Sequence, residues 1–429
     1  MNQGNTKQTG QPEYALLIGI DWSSAKHDVW IYNTLSGRQS SRIIKHSPES
    51  IREWVFEVQK TCPGQRVAIC LEQTKGALIH ALLDYEFISL YPINPAVLAK
   101  YREAFTPSRA KDDPTDAKLL MELLLKHCDK LKVWRPADEQ TRSLSLFNEE
   151  RRRCVDLRTK LVLRLQALLK GYYPQAMDLL SGNLSSQMAC DFIQRWPALD
   201  VLKRARPQTI RSFYYAHNYR REDLIAGNLD KISNATALTT DAAIIRVSMI
   251  SAQALARQIR LTLTLIEEYD EQIQSLFDNH PDAFIFKSLP GAGSILAPRL
   301  LSAFGSDRER YADASEIQTY SGIAPVVERS GKQEWIHWRW RCPTFLRQSF
   351  HEFANCSRGY SVWAEAHYAL QRERGKKHHA AVRSLAYKWQ RIIFRCWQDR
   401  KPYDEAQYIH ALQLSGSPLW PRIQELQGS

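Results

Sequence analysis

Ala15-Leu16-Leu17-Ile18-Gly19-Ile20-Asp21 is an apolar run that ends in an acid. A run of this length and composition reads as a buried central strand. Trp22 to Lys26 make a turn, His27 to Tyr32 alternate as a second strand, and Ser36-Gly37 breaks to a third around Ser40 to Ile44. The three form an antiparallel meander. Ser47 opens a helix, with Ile51, Trp54, Val55 and Val58 on one face. Val67-Ala68-Ile69-Cys70-Leu71-Glu72 repeats the opening pattern, a buried strand closed by an acid. A helix over about Lys75 to Tyr85, a fifth strand over Ile88 to Ile93 and a helix from Pro95 to about Phe105 follow.

Three strands, a helix, then alternating strand and helix is the order of an RNase H-like α/β fold. That topology sets the first and fourth strands side by side and brings the helix after the fifth strand over their ends. A carboxylate closing a buried strand is costly without a partner; taken separately, Asp21 and Glu72 read equally well as solvated strand ends. Ser108-Arg109-Ala110-Lys111-Asp112-Asp113-Pro114-Thr115-Asp116-Ala117 supplies further acids. Pro114 suits a first helical position, which makes Asp113 the N-cap and Asp116 the third helical residue. Read alone, that stretch is a capping pair without chemistry. Read with the strand ends, Asp21, Glu72, Asp113 and Asp116 converge, and four carboxylates together repel unless cations lie between them. Two Mg²⁺ ions, which take oxygen ligands, would clamp the attacking and leaving oxygens of a phosphodiester.

The chain has 429 residues, 44% hydrophobic and 24% charged, enough for two or three domains of a globular protein. No apolar run reaches the roughly 20 residues of a membrane helix. Met1 to Pro12 is polar, so a cytoplasmic protein is expected. Eight scattered cysteines show neither a Cys-x-x-Cys pair nor zinc spacing. The formal charge is +12, and Arg329 to Lys401 alone carries 16 Lys+Arg against 5 Asp+Glu. Six of the 12 tryptophans lie in that stretch. Cations interleaved with flat rings suit a nucleic-acid surface; a basic helical domain with core tryptophans is the plainer alternative.

Four segments follow from this reading: a polar tail (1–13), an α/β domain (14–136), a helical arm (137–280) with an insertion at about 173–241, and a mainly helical region (281–429). The arm rests on two long helices, 137–172 and 242–278, with apolar residues at threes and fours, expected to pair as an antiparallel coiled coil. Phe147, Cys154, Leu157, Leu161, Leu165 and Leu168 form the first stripe, and Arg151, Arg152, Arg153 and Arg158 stand on its basic faces. Asn228 to Asp241 reads as a polar linker. Leu289-Pro290-Gly291-Ala292-Gly293 between short helices suggests a helix-hairpin-helix turn, with Gly291 and Gly293 baring amides for a DNA phosphate. Further candidate nucleic-acid contacts are Lys332, Arg339, Arg341, Arg372, Arg374, Lys376 and Lys377. Ser330, before Gly331, reads locally as an ordinary turn serine, a poor nucleophile without activation.

The ordered set resembles the bridge-RNA-guided insertion-sequence transposases, or DEDD recombinases, related to the pilin-gene invertases. The N-terminal likeness rests on Ile18-Gly19-Ile20-Asp21, Leu71-Glu72 and Lys111-Asp112-Asp113-Pro114-Thr115-Asp116-Ala117. The C-terminal likeness rests on Leu289-Pro290-Gly291-Ala292-Gly293, Tyr320-Ser321-Gly322-Ile323-Ala324-Pro325 and Ser330-Gly331. The resemblance implies a RuvC-like N-terminal domain, a helical arm and a C-terminal transposase domain. It also implies Mg²⁺ on the four acids, Ser330 as a nucleophile joined covalently to DNA, and a noncoding guide RNA that pairs with donor and target DNA. A homodimer or homotetramer, with the serine supplied by a second protomer, is part of the same expectation. Where the family has Lys-Thr/Ser-Asp this chain has Lys111-Asp112-Asp113, which makes Asp112 a rival ligand, and Trp335 to Pro343 replaces a Gly-Asn-rich stretch. A RuvC-like nuclease using water, and a non-catalytic nucleic-acid-binding protein, are the alternatives. A covalent protein–DNA species separates the first, and metal-dependent cleavage the second.

Overall fold

A computed structural model describes residues 13–72, 76–105, 113–331 and 333–428. The chain divides into two compact units, Met1–Pro136 and Ala137–Ser429.

The first unit is α/β. Its strands are β1 (Leu16–Trp22), β2 (Lys26–Asn33), β3 (Gln39–Lys45), β4 (Val67–Leu71) and β5 (Ile88–Pro92). They form one mixed sheet in the order β3-β2-β1-β4-β5. The β1–β2 and β2–β3 pairs are antiparallel, while β1–β4 and β4–β5 are parallel. Helices α1 (Pro48–Thr61), α2 (Ala77–Leu82), α3 (Pro95–Phe105) and α4 (Asp113–His127) cover the faces. Ser47 caps α1, its hydroxyl accepting from the Ser50 amide at 3.2 Å. Ile51, Trp54, Val55 and Val58 are buried as the spacing predicts. Helix α2 is shorter than expected, and α4 starts at Asp113, one residue earlier than a Pro114 start implies.

Alternation along β1 separates two cores. Leu16, Ile18 and Ile20 pack with α1 and α2. Leu17 packs with α3 and α4, as do Ala68 and Cys70 of β4. Gly19 is on this second face, and α4 crosses it at backbone distance. A Cβ at Gly19 would lie 2.0 Å from the Ala117 carbonyl oxygen and 2.4 Å from the Met121 amide nitrogen. Gly19→Ala therefore has to push α4 off the sheet. We expect it to cost about 3 kcal/mol or more in urea unfolding; an unchanged midpoint would contradict this close approach.

The second unit is helical apart from one hairpin among the described residues. Helices α5 (Glu139–Tyr172) and α11 (Ala242–Asp278) run antiparallel. Arg151 pairs with Asp270, and Gln140 Nε2 donates to the Leu276 carbonyl at 2.9 Å. Between them lie α6 (Gln175–Leu179), α7 (Gln187–Arg195), α8 (Leu199–Lys203), α9 (Pro207–Ala216) and α10 (Glu222–Asn234). These close a core with Leu165 and Leu169 of α5 and Ala252, Leu255 and Ile259 of α11. The polar stretch from Asn228 is not a linker at its start but the second half of α10. Asn228 is buried there because its amide donates to Tyr214 Oη at 3.1 Å. Leu157, one of the expected stripe, is 49% exposed: two helices side by side cover only one flank of each.

The other ends of α5 and α11 join a second core with α12 (Ala283–Lys287), α13 (Gly293–Phe304), α14 (Ala314–Tyr320), α15 (Thr344–Ser357), α16 (Val362–Glu373), α17 (His378–Asp399), α18 (Glu405–Leu414) and α19 (Trp420–Gly428). Trp363, Trp389 and Trp397 are fully buried in it. The hairpin joins β6 (Val326–Ser330) to β7 (Gln333–His337). No helix among the described residues is long and apolar enough to cross a membrane.

Candidate active site and nucleic-acid surface

Asp21 is the penultimate residue of β1, and Glu72 directly follows β4. The parallel register pairs Ile20 with Leu71, so the next residues, Asp21 and Glu72, end neighbouring strands at the same edge. Each also continues the parity of its α4-facing neighbours, Leu17 and Gly19 for Asp21, Ala68 and Cys70 for Glu72. The Cys70 thiol reflects this: burial raises its pKa strongly, and Cys128 and the Glu72 charge add to the rise.

Asp116 stands in the first turn of α4, next to the Ala117 carbonyl that meets Gly19. It is 2% exposed and is held by Arg102 of α3, Nε to Oδ1 at 2.7 Å and Nη2 to Oδ2 at 2.5 Å. A bidentate pair of this kind satisfies a buried carboxylate that would otherwise be expensive. Among the described residues no three His, Cys, Asp or Glu side chains gather closely enough to hold a metal ion as they stand. The donor chemistry suits a hard cation, but Asp116 would have to exchange Arg102 for it. Asp113 is the first residue of α4; its carboxylate, with Arg109, Lys111 and Asp112, falls outside the described residues.

Ser330 is the last residue of β6, exposed, and paired in register with Gln333. Gly331, at φ +58°, opens the two-residue turn with a left-handed backbone that glycine adopts readily. Lys332 lies outside the described residues. The cross-strand partner of Ser330 is thus an amide side chain, not a titratable base. The nearer hairpin charges pair among themselves, Arg329 Nε with Glu334 at 2.7 Å and His337 Nε2 with Glu328 at 3.5 Å.

The expected nucleic-acid contacts separate into tied and open groups. Arg151 is half-buried against Asp270 and links α5 to α11. Arg152 reaches Asp156 at 2.9 Å, and exposed Arg153 reaches Glu150. Arg158 is half-buried. Arg339 donates to the carbonyls of Ala324, at 3.2 Å, and Pro325, at 3.4 Å, which makes it a loop anchor. Arg341 is exposed. Arg372, Arg374, Lys376 and Lys377 are all exposed around the α16–α17 turn, where Gly375 has φ +80°. Gly293 begins α13 in open space, but Gly291 is pressed on α15: a Cβ there would meet the Cys356 carbonyl oxygen at 3.0 Å and Tyr360 at 2.9 Å. Packing thus accounts for Gly291 on its own.

Sequence reading missed Arg102 and the β6–β7 hairpin. Nothing in spacing links Arg102 to Asp116 across two helices. The hairpin did have a signal, since Val326-Val327 and Trp335-Ile336 flank a short turn containing glycine.

Two family models match, in order: Transposase, of the IS110 DEDD type, over residues 18–174, and Transposase IS116/IS110/IS902 family over residues 283–369. The chain is 25% identical over 396 residues to the "Mini-circle putative transposase for IS117" of Streptomyces coelicolor, covering 91% of this chain and 95% of that protein. It is 24% identical over 405 residues to the insertion element IS900 uncharacterized 42 kDa protein of Mycobacterium paratuberculosis, covering 92% and 98%. The insertion element IS110 uncharacterized 43.6 kDa protein of Streptomyces coelicolor is 24% identical over 306 residues, 70% and 73% of the two chains. The first model spans both strand-end acids and Asp116, and the second spans the α12–α13 turn and Ser330. Matched in both of its units and along nearly its whole length by such relatives, the chain is a DNA transposase of the IS110/IS116/IS902 family.

Proposed function

We propose that this transposase is an RNA-guided recombinase that cuts and rejoins DNA with a serine nucleophile and Mg²⁺ held by Asp21, Glu72, Asp113 and Asp116. The observation that carries the reading is the pairing of two parallel strands that bring Asp21, near the end of β1, and Glu72, just past β4, side by side with the parity of the α4-facing residues. The strand order β3-β2-β1-β4-β5 is the one a RuvC-like domain requires. Bound there, Mg²⁺ would supply charge neutralisation at the phosphate and lower the pKa of a bound hydroxyl. The protein residues do the rest. Asp21 and Glu72 face the reacting phosphate from a rigid sheet edge, and Arg102 holds Asp116 oriented until it is needed. Exposed at the tip of its hairpin, Ser330 is placed to reach a phosphorus atom. Attack by its hydroxyl forms a Ser–O–P bond, releases the 3′ or 5′ oxygen of the cut strand and passes the serine proton to solvent or to a base. The phosphodiester energy is kept, so a strand hydroxyl can reverse the step and join a new partner without ATP.

Ser330 and the acids belong to different compact units. Two protomers, each giving its serine to the other's acids, are the assembly proposed, a homodimer or a pair of such dimers. The guide RNA pairs with donor and target, while the protein holds backbone and shape. The location of this reaction is the cytoplasm, at the nucleoid. Full-length protein with RNA transcribed from the DNA flanking its gene should exchange strands between donor and target only when both RNA and Mg²⁺ are present. Exchange that proceeds equally without RNA would remove guidance from the account.

A further inference from the structure

The tryptophans of the basic region fall into two classes. Trp363, Trp389 and Trp397 are core residues whose indole nitrogens donate inside the protein, to Tyr403 Oη at 2.6 Å, Ser357 Oγ at 2.8 Å and the Gly305 carbonyl at 2.7 Å. Trp335, Trp338 and Trp340 surround the hairpin instead. Trp335 is 44% exposed and Trp340 77%.

Trp340 is not on a loose loop. Arg339, next to it, is anchored to the Ala324 and Pro325 carbonyls, and Arg347 Nη1 donates to the Arg339 carbonyl at 3.1 Å. Cys342 closes on Gly322 so tightly that a Cβ there would lie 2.3 Å from Sγ. Behind Trp340, at 6.2 Å between ring centroids, stands Trp338. Two cations lie over the Trp338 ring, Arg383 with Cζ 3.2 Å from the centroid and Arg347 at 5.0 Å. Burial and, after it, the Arg347 charge depress the Arg383 pKa. Arg341 adds an exposed cation beside them. The hairpin acids Glu328 and Glu334 are engaged by His337 and Arg329.

A rigid, outward aromatic ring backed by paired guanidinium groups fits a partner that is flat and anionic at once. A nucleotide is both. In a duplex each base face is covered by its neighbours, so a base that stacks on an indole must be unpaired. Strand cutting and exchange produce such bases. Four steps of β-strand separate the tip at Ser330 from the hairpin base at Val326, roughly 13 Å at about 3.3 Å per step. A DNA strand that runs from the tip along the hairpin would pass the hairpin base, near Trp340, within a few nucleotides. We propose that Trp340, backed by Trp338 and flanked by Arg341, Arg347 and Arg383, stacks an unpaired DNA base beside the cut site, with the guanidinium groups holding adjacent phosphates. The choice of DNA over RNA rests on the reading of Ser330 as the residue at the cut strand.

Binding tests this without requiring any chemistry. Full-length Ser330→Ala protein would be titrated against three probes: a closed DNA duplex, the same duplex with a two-nucleotide bulge carrying 2-aminopurine, and an RNA duplex with the same bulge. The protein should favour the bulged DNA. Adding Trp340→Ala should weaken bulged-DNA binding roughly tenfold, the usual loss for one stacked base, and leave the closed duplex unchanged. Trp340→Phe should retain most of the preference, and 2-aminopurine fluorescence should be quenched only when an aromatic ring is present. Equal losses on both DNA probes, or no loss on either, would overturn the proposal. So would a Trp340-dependent preference for the bulged RNA, which would give the ring to the guide. None of these results depends on whether Ser330 is a nucleophile, so failure here is separable from failure of the serine mechanism.

Discussion

Ser330→Ala protein is expected to bind DNA and RNA as the parent does and to join no strands. The side chain is exposed at a hairpin tip, and among the described residues Ser330 pairs through its backbone register with Gln333, so its removal leaves the fold untouched. A surface substitution of this kind usually changes stability by less than about 0.5 kcal/mol. Loss of a covalent nucleophile is far larger, on the order of 10⁴-fold or more in rate. Strand joining on a donor–target pair, read on a denaturing gel beside a binding isotherm, separates the two effects. A hydrolytic nuclease would still cut, because water needs no serine. Retained cleavage in Ser330→Ala would therefore move the chain to the nuclease class.

Asp21→Asn and Glu72→Gln should each lower strand cleavage by roughly 10³-fold, several kcal/mol of lost charge stabilisation. Both residues lie where their strands run out at the same end of the sheet, and each substitution replaces carboxylate by amide without a change of volume. The thermal midpoint should therefore stay, while the gain in midpoint that Mg²⁺ gives the parent should vanish. That second readout does not depend on turnover. Asp113→Asn should be as severe, and Asp112→Asn much milder; the reverse pattern would shift the ligand register by one. Full activity in Asp21→Asn would remove the acid site from the account. Mixing Ser330→Ala with Asp21→Asn protein tests the assembly: partial recovery is expected if acids and serine come from different protomers, and none if they come from one.

Local pattern carried most of the α/β unit. Two apolar runs closed by Asp21 and Glu72, separated by a meander and a helix, predict adjacent parallel strands, and the register Ile20 to Leu71 has that arrangement. The core face of α1 follows equally from Ile51, Trp54, Val55 and Val58. What pattern does not reach is anything decided by the angle between elements. The Arg102–Asp116 pair depends on how α3 crosses α4, and the bare surface of Gly19 gains its meaning only when α4 arrives. The same holds for Gly291, whose φ of +76° suits a phosphate-binding turn and a packed one equally until Tyr360 is seen against it. Composition likewise could not divide the tryptophans, because Trp389 and Trp340 both sit among cations in the sequence while one is core and the other is open. The β6–β7 strands escaped because neither face is buried, which removes the alternation that marks a strand.

The most direct measurement is the site of covalent attachment. Full-length protein with guide RNA, Mg²⁺ and a nicked suicide substrate, whose cut end diffuses away, should accumulate a protein–DNA adduct. Nuclease and protease digestion followed by mass spectrometry should place the phosphonucleotide on the peptide containing Ser330. Ser321 is a poor rival, fully buried and accepting a hydrogen bond from Gln390 Nε2 at 2.7 Å. An adduct on Ser330 is the predicted result. An adduct on Ser321 or on a tyrosine such as exposed Tyr360, or efficient cleavage with no adduct at all, would contradict the serine mechanism.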